Sequence, residues 1–227
     1  MNDKIKRKIR SFVMRAGKLT AGQQRALEEH LTSFKLEEAK TFNVQTAFGN
    51  NNPVWIDIGF GNGESLIHIA KLYPEINFVG MEVHVAGIGH LLLNIEKYDL
   101  KNIRIYQHDS TEVLQDCFSE NSIDAIHIYF PDPWHKKRHH KRRLIQNGFI
   151  NSLIPLMKSQ AHLHIATDWQ EYAEHIQQTI SEVPKFENIE KNNAFTDRPK
   201  WRPITKFERR GIKLGHNSYD LIYKLKK

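Results

Sequence analysis

Four carboxylates stand where chemistry would need them: Asp57 just ahead of Gly59-Phe60-Gly61-Asn62-Gly63, then Glu82, Asp109 and Asp132. Asp57 stands near the end of a short apolar run (Val54 to Ile58), and the other three each follow one (Ile76 to Met81, Ile103 to Gln107, Ile123 to Phe130); such runs read as buried strands. The acids therefore collect at the carboxyl ends of successive strands, the edge where open α/β sheets bind ligands. The glycines let the chain turn sharply and approach a ligand closely. A dinucleotide fingerprint would need a third glycine where Glu64 stands, and a carboxylate there repels phosphate. Asp57 adds more negative charge, so the pocket suits a cationic or zwitterionic ligand without phosphate. Glu82 is placed to accept two ribose hydroxyls, and Asp109 the exocyclic amine of an adenine. S-adenosylmethionine, with an amino-acid end, a sulfonium, a ribose and an adenine, has every matching group. The plainer alternatives are a strand-end turn residue at Asp57 and helix caps at Glu82 and Asp109.

Asp132 sits between Pro131 and Pro133, and a cationic tract follows it directly: Lys136, Lys137, Arg138, Lys141, Arg142 and Arg143. No other acid appears before Asp168. A carboxylate between prolines is rigidly placed, and a cation run is suited to phosphates. A solvated charged loop would look the same in isolation. His135, His139 and His140 have spacing that could hold a metal. No cysteine is near and the cations oppose an ion, so no metal site is expected. Trp134, Trp201 and Phe207 could stack on an extruded base or simply pack.

The elements needed to carry these groups follow from periodicity. Thr20-Ala21-Gly22-Gln23 opens a helix through about residue 38 with a capping box. Residues 1–49 read as a basic N-terminal arm plus this helix, and 50–227 as the main domain. Leu66, Ile69, Ala70 and Tyr73 predict a helix ending before Pro74, and Val85 to Tyr98 and Thr111 to Cys117 predict two more. Ile150 to Met157 predicts a helix ended or kinked at Pro155, His162 to Ala166 a fifth strand, and Ala173 to Ile180 a further helix. Phe186 to Ile189 and Tyr219 to Leu225 supply two last strands, with a long basic loop from Asn192 to Asn217 between them. Strands alternating with helices argue for an α/β, Rossmann-like fold. It has a seven-stranded, mostly parallel sheet with helices on both faces. The net charge of +7 favours a polyanionic partner. Cys117 alone excludes an internal disulfide. No signal-like or membrane-length apolar stretch occurs, so a cytoplasmic protein without membrane partners is expected.

Longer motifs carry a family likeness. Phe130-Pro131-Asp132-Pro133-Trp134-His135-Lys136, Lys141-Arg142-Arg143, Ala166-Thr167-Asp168-Trp169, and Thr205-Lys206-Phe207-Glu208-Arg209 with Leu214-Gly215-His216 occur in the family's order. Over about residues 54 to 224, and more loosely at Arg10-Ser11-Phe12-Val13, the chain resembles bacterial tRNA (guanine-N7-)-methyltransferases. The resemblance implies the class I methyltransferase fold, S-adenosyl-L-methionine as methyl donor, and tRNA as substrate, at the variable-loop guanosine numbered 46. It implies cofactor contacts at Asp57, Glu82, Asp109 and Asp132, with Asp132 as the active-site acid, to which the turn itself adds Gly59, Gly61 and Gly63. Substrate contacts are implied at Lys136, Asp168, Thr205, Lys206, Phe207 and Glu208. The tract cations Arg138, Lys141, Arg142 and Arg143 would meet RNA phosphates. Asp57 departs from an expected Glu, which shortens reach by one methylene, and Lys137 makes the tract denser than usual. Both a monomer and a homodimer are compatible with such a sheet.

The reaction limits what Asp132 has to do. Guanine N7 already exposes a lone pair, so no base is required to make it nucleophilic. Positive charge moves from sulfur onto the purine, and a fixed carboxylate can stabilise it. Asp132 or Asp168 could equally hold the N1–H and amino group of guanine, aligning N7 with the methyl group. Three other readings compete. A methyltransferase of proteins or small molecules would leave the basic tract idle. A binding module without catalysis would not need the four acids. A dehydrogenase is opposed by Glu64.

Overall fold

The computed structural model describes residues 9–14 and 17–226, the side chain of Asn193 excepted. Helices α1 (Ala21–Phe34) and α2 (Val44–Phe48) precede the alternating part of the chain. That part runs β1 (Val54–Ile58), α3 (Glu64–Leu72), β2 (Asn77–Met81), α4 (Val85–Tyr98), β3 (Ile103–Tyr106), α5 (Ser110–Cys117) and β4 (Ile123–Tyr129). It continues with α6 (Asn147–Leu153), β5 (Met157–Thr167), α7 (Gln170–Ser181), β6 (Phe186–Asn188), α8 (Lys206–Lys213) and β7 (Tyr219–Leu225). Among the described residues the strands form one seven-stranded sheet in the order β3-β2-β1-β4-β5-β7-β6. All neighbours are parallel except β7, which is antiparallel to both β5 and β6. The expected mostly parallel sheet is present. Its chain order reverses between β1 and β4, the kind of switch point where such sheets open a ligand crevice.

Side-chain alternation along the strands separates two cores. Val54, Ile56 and Ile58 of β1 face a cluster with Val113, Ile150, Leu153, Tyr172 and Ile176, from α5, α6 and α7. The opposite face packs Leu66 and Ile69 of α3 and Ile88, Leu91 and Leu92 of α4, with Ala26 of α1 laid over them. Asp57 belongs to this second face with Trp55. Registered beside it are His127 of β4, then His164 of β5. A stripe of polar residues thus crosses the middle of a sheet whose other face is apolar.

Several expectations need correcting. The first helix stops at Phe34, because Lys35 leaves helical geometry and forms an isolated bridge with Ile105. β5 begins at Met157, five residues earlier than His162, and α6 accordingly ends before Pro155. The basic tract is not an open loop, since 137–142 form a 3-10 helix. The long loop from Asn192 to Asn217 contains α8. Thr205 caps α8, its Oγ1 accepting from the Glu208 N–H at 3.1 Å. Thr205-x-x-Glu208 is a recognisable N-terminal signal. It is easily passed over because the helix that follows is mostly basic. Among the described residues no helix is long and apolar enough to cross a membrane.

Candidate active site

The glycine turn after β1 is built by backbone conformation and by close packing. Gly59, Gly61 and Gly63 all have positive φ, and Gly63 caps α3. A Cβ on Gly63 would be strained by its φ of 78° and would lie 2.6 Å from Leu91 Cδ1, which would have to move. Helix α4 presses on the turn from outside: a Cβ at Gly87 would sit 2.1 Å from the Gly61 carbonyl oxygen. Glu82, at the end of β2, clamps the same turn by accepting the Gly61 N–H at 2.9 Å.

Two cavities meet at the switch point. One, of about 310 Å³, is lined by Asp57, the glycine turn, Ser65, Tyr129, Phe130, Thr205 and Phe207. The other, of about 200 Å³, is bounded by Glu82, His84, His108, Ser110, Asp132 and the arm residues Ser11 and Phe12. Gly59, Tyr129 and Phe130 line both, so the cavities are two halves of one cleft.

Asp57 is buried, and its Oδ2 has no hydrogen-bond partner among the described residues. Burial first, then the charge of Glu82, pushes its pKa up to about 7. A buried, unpartnered carboxylate is costly unless a cation joins it. An ammonium or sulfonium group is such a cation, and no phosphate could take its place. The second Glu82 oxygen, Oε1, accepts from the Val83 and His84 N–H groups and from the His84 ring. The other ring nitrogen of His84 faces the Val13 carbonyl at 3.0 Å. Burial opposes the charged imidazole, but the Glu82 and Val13 hydrogen bonds and the Glu82 and Asp132 charges outweigh it, raising the His84 pKa. Asp109 turns out to cap α5, with Oδ1 accepting from the Thr111 N–H and hydroxyl. Its neighbours His108 and Ser110, not Asp109 itself, line the cavity.

Asp132 is exposed on the cleft wall, where it follows β4. Phe130 and Trp134, on either side of the Pro131-Asp132-Pro133 segment, have φ of 53° and 48°. Positive φ at aromatic residues is strained, at a cost of order 1–3 kcal/mol each, and such strain persists only where the surroundings enforce it. Here the enforcing contacts are visible. The Trp134 indole N–H donates to the Ser11 carbonyl at 3.0 Å, and the Arg142 guanidinium lies 3.9 Å over its ring. Phe130 packs on Phe207 with ring centroids 5.4 Å apart.

The basic tract divides into two kinds of residue. Lys136, Lys137, Arg138 and Lys141 are exposed. Arg142 is committed to the arm, donating to the Arg10 and Phe12 carbonyls at 3.1 Å each. Arg143, expected to meet RNA phosphates, is buried. It donates to the Pro133 carbonyl and pairs with Glu171, so it holds the tract to α7. The three histidines also have separate neighbours: His135 stands edge-on to Trp169, His139 edge-on to Trp134, and His140 faces Arg143.

Thr205 and Phe207 line the Asp57 half of the cleft, as a substrate-binding segment would, and Phe207 is largely exposed. Lys206 donates its N–H to Glu64, which also pairs with Arg209, tying α8 to the glycine turn. Glu208, expected as a substrate contact or as a surface partner of Arg209, is instead buried and bound to Arg202. Asp168 lies apart from both halves of the cleft, 3.4 Å from His216 Nδ1, in a neighbouring hollow of about 500 Å³. Trp201 is half-buried beside Tyr129 in the core, a packing role. Sequence reasoning missed Tyr129, His84 and Arg202, which carry no local motif.

Comparison with known proteins decides the family. The family described as "Putative methyltransferase" matches residues 51–221. The tRNA (guanine-N(7)-)-methyltransferase of Methylobacillus flagellatus is 49% identical over 97% of this chain and 93% of its own length. That of Pseudoalteromonas translucida is 45% identical over 96% of the chain and 90% of its length. The chain belongs to the tRNA (guanine-N7-)-methyltransferase family. Solved structures agree in fold. An rRNA methylase from Streptococcus thermophilus superposes with a TM-score of 0.53 over 78% of this chain and 89% of that one, at 10% identity. An S-adenosylmethionine-dependent methyltransferase from Aquifex aeolicus gives 0.52 over 80% and 87%, at 13% identity. In this member of the family, the buried Asp57, the glycine turn, Glu82 and Asp132 line one cleft at the sheet's switch point.

Proposed function

We propose that the protein methylates N7 of a guanine in tRNA, the variable-loop guanosine 46, with S-adenosylmethionine as donor. The observation that carries this reading is the shared wall of Gly59, Tyr129 and Phe130, which places Asp57, Glu82 and Asp132 around one continuous cleft. The donor supplies an electrophilic methyl on a sulfonium. Asp57 holds the cationic amino-acid end, Glu82 and the His108–Ser110 turn bound the nucleoside end, and Glu82 keeps the glycine turn closed. Asp132 orients the guanine and stabilises the positive charge that develops on it, without removing a proton. Phe207 offers its exposed ring to the base, while Lys136 and the tract cations meet the backbone.

Nucleoside mass spectrometry of unmodified tRNA incubated with the protein and S-adenosylmethionine tests this directly. The expected product is 7-methylguanosine in the variable-loop fragment. Its absence from competent tRNA rejects the activity, and its presence only in another fragment rejects the position.

The tract makes a second expectation. Arg138→Ala with Lys141→Ala should lower the slope of log affinity against log salt for tRNA by about 0.7–0.9 per lost contact. Cofactor affinity should stay the same. Arg143→Ala should instead lower the melting temperature, because it empties a buried position, removes the bond to the Pro133 carbonyl and unpins the tract. An unchanged salt slope in the double variant would remove the tract from the RNA interface.

A further inference from the structure

The polar stripe across the sheet continues, link by link, out to the substrate side of the cleft. Tyr129, which lines both halves of the cleft, has its hydroxyl 2.9 Å from His164 Nδ1. His164 Nε2 lies 2.7 Å from Asp220 Oδ1. Burial lowers the pKa of this imidazole against the pull of Asp220. The arrangement therefore assigns the tautomer: Nε2–H donates to the carboxylate, and Nδ1 accepts the tyrosine proton. Asp220 takes the Arg202 guanidinium through two contacts of 2.7 Å each. The same guanidinium donates to both Glu208 oxygens, at 2.8 and 3.0 Å. Its side chain is fully buried, with Phe130 and Tyr129 rings 5.5 and 5.9 Å away. Glu208 sits three residues after Thr205, whose hydroxyl caps the helix that carries both.

We propose that Arg202 is a positioning residue for methyl transfer: clamped between Asp220 and Glu208, it fixes the Thr205–Phe207 wall of the cleft against the sheet that carries Tyr129. Two independent features support this. The apolar core does not need the cluster, since a buried arginine with two carboxylates is a poor way to obtain stability alone. The fork of the guanidinium also matches both carboxylates at once, which a point charge cannot do. Among the described residues the Thr205–Phe207 segment has no other buried ionic anchor, because the contacts of Glu64 with Lys206 and Arg209 are at the surface. Glu208 matters to the reaction in this account by holding the wall through Arg202, not by touching tRNA.

The proposal rests on the cleft being the methyl-transfer site. Arg202→Lys keeps the charge but loses the fork. Its kcat should fall tenfold or more, while the KM for tRNA and the Kd for S-adenosylmethionine stay within about threefold of wild type. Combining it with Thr205→Ala should cost no more than the worse single change, because both loosen the same wall. If losses multiply, or if the variant has a lower melting temperature with undiminished kcat per folded molecule, the positioning role is wrong. Should Arg202→Lys fail to fold, Glu208→Gln, which keeps shape and weakens the clamp, is read by the same kcat-against-KM split and the same cycle. Wild-type protein in the same assay separates the two levels: no methylation of tRNA there rejects the cleft as the site, whereas multiplied losses reject only Arg202.

Discussion

Asp132→Asn should lower kcat by about 10²–10³-fold, the scale seen when one preorganised electrostatic group is removed from an active site. The substitution keeps the volume and one acceptor oxygen, so it separates charge from shape. Asp132 stands at the cleft wall on a segment held by two prolines and two strained aromatic residues, and its backbone has little freedom to adjust. A fixed negative charge costs no reorganisation when the purine becomes cationic. Neutral asparagine offers only a dipole. The affinity for S-adenosylmethionine has to be measured beside it, since Asp132 shares its half of the cleft with Glu82, His108 and Ser110. Single-turnover kinetics on unmodified tRNA, with binding measured separately, check this. A loss under tenfold would leave alignment by shape as the whole role of the residue. A loss confined to tRNA affinity would make Asp132 a binding group only.

Cofactor affinity should weaken about tenfold between pH 8 and pH 6, because the Asp57 carboxyl titrates near pH 7 before the ligand binds. Burial raises this acid, so the empty protein holds a proton that the ionised, cation-binding form must release. Calorimetry in buffers of different ionisation enthalpy should therefore detect proton release near neutral pH. Methylthioadenosine, which lacks the ammonium group, should show no such dependence and serves to separate Asp57 from the nearby His84. Asp57→Asn should bind S-adenosylmethionine weakly at every pH, with the slope gone. The sign for folding is the opposite one. The native state binds the Asp57 proton between about pH 4 and 7, where the unfolded chain has lost it, so this group's contribution to stability falls as pH rises through that window. A pH-independent affinity in the wild-type protein would remove Asp57 from the cationic end of the ligand.

Much of the site was legible in the sequence because its signals are local. An apolar run, a glycine turn and an acid at the strand end are separated by a few residues, and strand–helix alternation places those acids on one edge whatever else the chain does. That reasoning found Asp57, Glu82 and Asp132 and the order in which they come together. It also supplied, as an alternative for Asp109, the helix cap that the structure shows at that position. Charge type alone said less, since a cation is written the same way whether it meets RNA or a buried carboxylate.

What the tertiary structure decided are the pairings across long stretches of chain. Arg143 finds Glu171, Arg202 finds Asp220 and Glu208, and Glu64 reaches α8. In each case an apparently exposed charge became a structural anchor or a strut of the cleft. The arm residues Ser11 and Phe12 became a wall of the cavity that holds Glu82 and Asp132 only because Trp134, Arg142 and His84 hold their carbonyls or those of their neighbours. The physical reason is the same throughout. Periodicity and turn chemistry depend on nearest neighbours and survive in one dimension. The partner of a charge depends on which distant surface the fold brings to it, and on how completely the two are removed from water.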